Sequence, residues 1–283
     1  MSLSVGTSRS SRTLGDRLFV LLNYSLAITI ALICVVPFLY VLSVAFRPPA
    51  EVWDVRLFPS QVSLEFMRVA FERTDELLWN SFLISSGTML VSMLIVIPSA
   101  YVFGRLDFEG KSTMFYLVLL IIMFPFVLLI IPITQSWFTL GLWNTVPGLW
   151  IAYQIFVAPF AIWVLRDYFA KLPANLEESA RIYGCTQFSA FLRVILPLAA
   201  PSIIAVAFLS FLVAWNDFLM AGMLTTGTGP RPAVVGLYLT IHGTAASVPY
   251  GLIMAQTLII GTPPTVLYLL SRKSLAASFE VSR

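Results

Sequence analysis

Long uninterrupted apolar stretches constrain this chain more than any other feature of its sequence. A helix needs about 20 apolar residues to cross the hydrocarbon core of a bilayer. Only 11% of the residues are charged, against about 25% in soluble domains, so a soluble core of this size could not hide the apolar surface. We therefore predict an all-α polytopic membrane protein with six transmembrane helices. The six windows lie at about 18–46, 80–103, 113–137, 147–165, 201–224 and 248–270.

The segments outside these windows predict how the chain is organised. Residues 1–17 are expected to form an N-terminal tail, residues 18–270 the membrane domain and residues 271–283 a C-terminal tail. The two long polar connections are residues 47–79 and residues 166–200. No signal peptide is predicted, because the first apolar stretch is about twice the length of a signal-peptide core.

The distribution of Lys and Arg predicts the orientation of the spans. An even number of spans places both termini on one side. If that side is cytoplasmic, 12 of the 17 Lys and Arg residues lie inside. Four of the five outside lie in the 47–79 connection, together with six acidic residues. We therefore expect cytoplasmic termini, an external 47–79 loop and a cytoplasmic 166–200 loop.

Small residues and prolines within the spans indicate a bundle built for more than anchoring. Ser81, Ser85, Thr88 and Ser92 follow one helical face, and small residues let a second helix approach closely in a membrane. Prolines inside spans are tolerated where neighbouring helices or a cavity satisfy the freed backbone groups. Such a bundle is typical of a transport pathway or a moving part. The prolines are Pro37, Pro98, Pro125, Pro132, Pro263 and Pro264.

The polar connection before the fifth window has the features of two short helices. It includes PANLEESARIYGCTQFSAFLRVILP, residues 173–197. Asn175 is expected to cap the first helix, with Glu177 and Glu178 in its first turn. Glu177 is also expected to pair with Arg181, which follows one turn later.

The second half of this connection contains the signals for a helix end and a new helix. Gly184 stands where a left-handed residue ends a helix. Thr186 is expected to cap a second helix, which Pro197 ends. Since isolated helices below about 12–15 residues are marginal in water, something must hold the first helix. It either rests on its own bundle or on lipid headgroups, or it docks a cytoplasmic partner. The apolar stripe predicted for the second helix is Phe188, Phe191, Leu192 and Ile195.

The spacing of these residues resembles the EAA loop of ABC importer permeases, whose form is E-A-A-x3-G-x9-I-x-L-P. The matching positions are Glu178, Ser179, Ala180, Gly184, Val194, Leu196 and Pro197. Ser179 stands for the second-position Ala and Val194 for Ile, and both departures are mild. The resemblance implies a cytoplasmic loop, between spans four and five, that couples the membrane domain to ATPase subunits. The residues implied in coupling are Glu177, Glu178, Ser179, Ala180, Arg181, Gly184, Leu196 and Pro197.

The resemblance covers nearly the whole chain. Four further segments are similar to the carbohydrate-uptake class: FRPPAEVWDVRLFPSQVSLEFMRVAF, AYVFGRLDFEGKS, FPFVLLIIPITQSWFTLGLWNT and FLVAWNDFL. The chain most resembles the smaller membrane subunits of maltose-type sugar importers, which lie in the cytoplasmic membrane of bacteria or archaea. It departs at its end, KSLAASFEVSR, where those subunits often carry a Gly-rich tail that reaches toward the ATPases.

The resemblance implies a permease subunit that is not itself an enzyme and binds no cofactor. It would form a sugar path with a second homologous permease. Two ATPase subunits would bind ATP and Mg, and an extracytoplasmic solute-binding protein would deliver the sugar. Lipid is the remaining partner, and no nucleic acid is expected, because the sequence has no run of Lys and Arg.

Two alternatives to this function stay open. One is an ABC permease for another solute, such as glycerol phosphate or a polyol. The other is a self-sufficient secondary transporter or channel, which should have paired intramembrane acids or repeated halves. The single intramembrane acid and the absence of a visible repeat argue against the second alternative.

A few polar residues inside the spans are candidates for lining a translocation path. A charge at the bilayer centre costs about 2.5–3.5 kcal/mol on insertion scales, so such a residue usually faces a cavity or a partner. Asn216 and Asp217, in the fifth window, either line the path or cap and pair structurally near the outer end of the span. Gln135 and Gln256 are further path candidates.

Two other motifs are set aside. GRLDFEGKS, residues 104–112, has five residues between its glycines where a phosphate-binding P-loop has four, so a solvated turn is expected. His242 lies in a predicted external loop without Cys or acidic neighbours at metal spacing. Cys34 and Cys185 are expected to be structural thiols, and no metal site is predicted.

Overall fold

The computed structural model describes residues 14–54, 56, 58–243 and 248–280. Within these residues all regular structure is helical, in agreement with the predicted all-α class. A 3-10 turn, Pro49–Glu51, and a π-helical turn, Phe191–Ile195, accompany the α-helices. The α-helices, α1 to α12, are Leu14–Ala45, Glu65–Arg105, Lys111–Met123, Phe126–Thr139, Val146–Lys171, Asn175–Ile182, Gln187–Ala190, Leu196–Leu198, Ala200–Asn216, Leu219–Leu224, Ala233–His242 and Tyr250–Glu280.

Between four and six segments of the described chain are candidate membrane spans. Four are single helices: Leu18–Ala45, Glu65–Arg105, Val146–Lys171 and Tyr250–Lys273. Two more arise if bent helix pairs count as spans: α3 with α4, bent by 96°, and the segment Gln187–Leu198 with α9, bent by 75°. The count of six spans therefore stays a prediction. Residues 1–13 and 281–283 of the predicted tails lie outside the described residues.

The third and fifth windows are each predicted as one span, with kinks allowed at proline, whereas the structure divides each window into two helices. Phe124 is extended, with φ −77° and ψ 133°, because a residue that precedes proline avoids the helical region. Pro125 has no N–H to continue the ladder, so α3 ends and α4 starts in a new direction. In the fifth window Asp217 is extended, with φ −70° and ψ 137°, and separates α9 from α10.

Helix α2 is the central element of the bundle and packs against α5, α9 and α12. It has 41 residues and is therefore about 60 Å long. The predicted small-residue stripe is confirmed, because Ser81, Ser85, Thr88 and Ser92 are all buried. Polar bonds support this packing: the Ser92 hydroxyl donates to Gln154 Oε1 on α5 (2.7 Å), and Gln154 Nε2 donates to the Thr88 carbonyl (3.3 Å).

Helix α1 lies at the periphery and packs against α12. Most of its apolar side chains are exposed, as expected for a lipid-facing helix. Arg47 follows it and is buried, donating to the carbonyls of Asp54 and Arg56. In the same connection the Ser60 hydroxyl donates to Glu51, and this bond lowers the pKa of that carboxyl.

Two predicted loops contain helices. Helix α2 begins at Glu65, so the second half of the 47–79 connection is helical. Helix α11 occupies part of the connection before the last span, and His242 is its final residue rather than a loop residue. The His242 ring stacks on the Tyr238 ring at 4.2 Å. Among the described residues there is no group of three or more His, Cys, Asp and Glu that could hold a metal ion.

Candidate functional site

The loop that resembles the EAA motif begins where α5 ends, and backbone groups start its first helix. The expected Asn175 cap is wrong: Asn175 is the first residue of α6, Ala174 holds the cap position, and no side chain caps the helix. Pro173 provides the physical reason, because its fixed φ favours a turn. The carbonyls of Pro173 and Ala174 accept the N–H groups of Leu176 (3.4 Å) and Glu177 (3.2 Å).

The end of α6 is confirmed as a left-handed glycine cap. Gly184 has φ 88°. Its N–H donates to the Arg181 carbonyl at 3.0 Å, and the Cys185 N–H donates to the Ala180 carbonyl at 3.0 Å. These two bonds define the Schellman motif, which satisfies carbonyls that the helix leaves free. The backbone thus turns sharply at a residue that has no side chain.

The second helical segment starts as predicted and continues further than predicted. Thr186 caps α7, because its hydroxyl oxygen accepts the Ser189 N–H at 3.2 Å. The π-helical turn and α8 follow without a break, and Leu196 and Pro197 lie inside α8. Pro197 therefore does not end the helix. The chain bends by 75° only between Leu198 and Ala200.

The predicted apolar stripe of the second segment is only half buried. Phe191 is 8% exposed and Ile195 fully buried. Phe188 is 68% exposed and Leu192 43% exposed. The π-helical turn accounts for part of this difference, because it adds a residue per turn and moves side chains off the expected face.

The inner side of α6 is held on the bundle by the end of α2. The predicted Glu177–Arg181 pair is replaced by a contact with Arg105, the last residue of α2. Arg105 Nε lies 3.1 Å from Glu177 Oε1. The same guanidinium donates to the carbonyls of Leu172 (2.7 Å) and Pro173 (3.3 Å). Ala180 is buried, and Leu176 packs against the core at this end of the bundle.

The opposite side of α6 is open. We call Glu178, Ser179, Arg181, Ile182 and Tyr183 the outer face of α6; all five are exposed. Ile182 is 83% exposed and Tyr183 is 88% exposed. The outer face therefore combines an acid near the helix start, a base near its end and two large apolar side chains beside the Gly184 turn.

The structure gives Asp217 contacts that complete a helix start. Its Oδ2 accepts the Tyr153 hydroxyl at 2.9 Å and the Ala221 N–H at 2.8 Å. The carboxylate also interacts with the backbone N–H groups of Leu219 and Met220. A carboxylate at a helix N-terminus satisfies N–H groups that lack an intrahelical partner. These contacts support the structural alternative for Asp217.

Within the described part of the chain, the other three path candidates make no side-chain hydrogen bond with Asp217. Asn216 is exposed and donates to the Leu212 carbonyl of its own helix at 3.0 Å. Gln135 lies exposed on α4, whereas Gln256 is buried on α12. Among the described residues, Gln256 Oε1 is a buried acceptor without a hydrogen-bond donor. No two of these three side chains are hydrogen-bonded to each other within the described part of the chain.

Sequence reasoning missed the residues that hold the loop and the broken span in place. Arg105 lies just outside the predicted second span, and Tyr153 is one of ten tyrosines in the chain. The position of Arg105 is nevertheless a signal, because an arginine just beyond the end of a predicted span is a cation that needs a partner. Its partner is 72 residues away, and spacing along the sequence cannot identify such a pair.

The fold has a close structural counterpart among transport proteins. A chain of a bacterial ABC transporter involved in the import of the acidic polysaccharide alginate superposes with a TM-score of 0.82, over 93% of this chain and 98% of that one, at 21% identity. A second alginate ABC transporter structure, in complex with an alginate pentasaccharide-bound periplasmic protein, gives a TM-score of 0.69 at 15% identity. The fold is that of an ABC transporter permease.

Sequence comparison then identifies the family. The profile of the binding-protein-dependent transport system inner membrane components matches residues 96–280, and the chain belongs to this family. It is 34% identical to the trehalose transport system permease protein SugB of Mycobacterium tuberculosis, over 85% of this chain and 89% of that protein. It is 31% identical to the trehalose/maltose transport system permease protein MalG of Thermococcus litoralis, over 89% and 91%. The diacetylchitobiose uptake system permease protein NgcG of Streptomyces coelicolor is 30% identical, over 93% and 88%.

Proposed function

We propose that this chain is a permease subunit of an ATP-driven sugar importer and that α6 is its coupling helix. The observation that carries the proposal is the geometry of the loop. Its inner side is fixed to α2 and the core, while its outer face exposes Ile182 and Tyr183. An eight-residue helix is not stable by itself, so a fixed inner side and an open apolar outer side support a docking role.

The family and the open outer face of α6 support the proposed partners. A second homologous permease completes the path, and two ATPase subunits bind ATP and Mg. An extracytoplasmic solute-binding protein delivers the solute. The ATPases contact the outer face of α6 from the cytoplasm, which requires cytoplasmic termini and a multi-pass protein in the cytoplasmic membrane. Coupling runs through Glu177, Glu178, Ser179, Ala180, Arg181, Gly184, Leu196 and Pro197.

Similarity to permeases named for trehalose, maltose and diacetylchitobiose supports a sugar as the solute. These three relatives cover most of this chain, so the similarity is not confined to the coupling loop. The path is proposed to include Asn216, Gln135 and Gln256. For Asp217 the contacts with Tyr153 and α10 favour the structural role over the path role.

Purification of the tagged chain from its native membrane in mild detergent tests the proposal. Mass spectrometry of the co-eluting proteins is expected to identify a second permease and an ATPase subunit. ATP hydrolysis by the complex is then measured with the solute-binding protein and trehalose, maltose, diacetylchitobiose or glycerol 3-phosphate. Stimulation by one of the sugars is the expected result. A complex without an ATPase would contradict the importer assignment.

A non-sugar solute is the second candidate. One relative, the sulfoquinovosyl glycerol transport system permease protein SmoH of Agrobacterium fabrum, is 27% identical over 82% of this chain. The solute in that name is a sulfonated sugar joined to glycerol, so a related permease is named for a solute that carries a glycerol group beside its sugar. Stimulation of ATP hydrolysis by glycerol 3-phosphate and by none of the sugars would favour this candidate.

A further inference from the structure

Arg105 makes three contacts with the start of the coupling loop. Its side chain is 8% exposed, and that of its ion-pair partner Glu177 is 19% exposed. Nη1 and Nη2 donate to the carbonyls of Leu172 and Pro173, the two residues that join α5 to the turn before α6. One guanidinium therefore holds both the chain that enters α6 and the first turn of α6. Hydrogen bonds that involve charged groups are about twice as strong as neutral ones.

The packing of α2 fixes where Arg105 can reach. Gly104 lies so close to α5 that a Cβ there would be 2.9 Å from the Arg166 carbonyl oxygen and 3.0 Å from Phe169 Cβ. The end of α2 therefore rests directly on the end of α5. This contact sets the register of α2 and aims the next residue, Arg105, at the loop.

Tyr101, one turn before Arg105 on α2, contacts the second half of the loop. Its ring centroid lies 4.4 Å from that of Phe191 in the π-helical turn and 6.1 Å from that of Phe169 at the end of α5. Its hydroxyl group is buried near Glu177 and Gln187 and makes no hydrogen bond within the described part of the chain. Two residues four positions apart on α2 thus hold both helical segments of the loop.

We propose that Arg105 is a positioning residue for coupling, which ties α6 to α2 so that a displacement of α6 is passed to the centre of the bundle. Helix α2 is suited to this role because it packs against α5, α9 and α12. Without the tie, α6 could follow an ATPase subunit while the membrane helices stay in place. The proposal rests on the proposed function of α6, and it adds a residue 72 positions before the loop.

Hydrogen exchange of the purified permease complex tests the tie directly, with no solute required. The variants are Arg105→Gln, Glu177→Gln and the double variant. We expect the amides of residues 174–186 to exchange about 10- to 100-fold faster in each, the range implied by the loss of a hydrogen bond to a charged group. The double variant should be no faster than the faster single variant, because both remove one interaction. Asp107→Asn is the matched control. Asp107 lies two residues after Arg105, and this substitution breaks its exposed ion pair with Lys111.

Faster exchange confined to residues 174–186 supports the proposed attachment of α6 to α2 through Arg105. Faster exchange that also spreads along α2 and α5 would overturn the proposal, because Arg105 would then stabilise the fold as a whole. Unchanged exchange in both single variants would overturn it as well. Arg105→Lys, which keeps the charge but loses the planar fork, is expected to give an intermediate rate.

ATP hydrolysis separates this inference from the proposed function. In the assembled importer, the solute-binding protein is added with whichever of trehalose, maltose and diacetylchitobiose stimulates the wild type most. Arg105→Gln is expected to recover the ATPase subunits normally but to lose about tenfold in stimulated over basal hydrolysis, the lower end of the same range. A wild type that recovers no ATPase would contradict the proposed function. If ATP hydrolysis is stimulated equally in the wild type and in Arg105→Gln, the role of Arg105 is contradicted and the proposed function is not.

Discussion

Substitution of Gly184 by leucine is the most direct test of the docking surface. Gly184 has φ 88°, and a Cβ placed on it would meet no atom within 4 Å. Within the described part of the chain, the first side-chain carbon at this position therefore meets no neighbour. Its intrachain cost is backbone strain, about 1–2 kcal/mol for a residue with a side chain in the left-handed region.

That cost is too small to unfold a domain whose stability is about 5–15 kcal/mol. We therefore expect Gly184→Leu to insert and to pair with the second permease. A loss of ATPase binding beyond about 30-fold, which is what about 2 kcal/mol of strain could produce, must come from a clash with the partner. We expect such a loss, because the side chain projects beside the outer face of α6.

Gly110 provides a matched control on the neighbouring α2–α3 connection. It has φ 80°, and a Cβ there would also meet nothing within 4 Å. Gly110→Leu therefore carries the same strain at a site with no proposed docking role. Gly184→Asn completes the set, because asparagine tolerates the left-handed region and tests the added side chain with less strain.

The assay is recovery of the ATPase subunit with tagged permease, normalised to the permease and to the second permease. Gly184→Leu is expected to fall to background, Gly184→Asn to an intermediate level, and Gly110→Leu to match the wild type. Wild-type recovery in Gly184→Leu would refute the reasoning. An equal loss in Gly110→Leu would also refute it, because strain alone would then explain the effect.

Three further predictions concern coupling, topology and the broken span. Glu178→Lys reverses the acid on the outer face of α6 and should reduce ATP hydrolysis stimulated by the loaded binding protein, whereas full stimulation would remove Glu178 from the coupling set. Reporters fused after Arg283 or inserted at Thr186 should be cytoplasmic and one at Pro59 external, and an external signal at Thr186 would contradict ATPase docking. Asp217→Ala should lower the yield of assembled complex, since it removes the acceptor of the Tyr153 hydroxyl and the Ala221 N–H, and the loss of a hydrogen bond to a charged group costs about 1.5–3 kcal/mol. Uptake per complex should stay unchanged; normal assembly with reduced uptake would instead favour the path role.

Local chemistry made the end of α6 and the start of α7 predictable. The Gly184 turn and the Thr186 cap depend on residues within five positions of each other, and both are found as expected. The start of α6 was not predictable in the same way. Asn175 is a good capping residue, but Pro173 begins a turn whose carbonyls accept the first N–H groups. Two local signals competed, and the backbone turn prevailed over the side chain.

Hydropathy predicted that the chain is a helical membrane protein, but it could not show where a span is broken. Averaging over about 20 residues hides a single proline or aspartate. Pro125 was noted as a kink, yet it separates two helices that cross at 96°. The serine and threonine stripe of α2 was more informative, because four small side chains on one helix face predict that another helix packs closely against that face. All four are buried.

Asp217 and Glu177 illustrate the same physical limit. Each is a carboxylate whose charge has to be compensated in or next to a low-dielectric bundle, and the sequence identifies both as residues in need of a partner. The partners are Tyr153, 64 residues earlier, and Arg105, 72 residues earlier. Asp217 uses its charge to begin α10 at a break in a span, whereas Glu177 uses its charge to fix α6 to α2. Both carboxylates thus stabilise points where the chain changes direction, which favours a positioning role over direct solute contact for each.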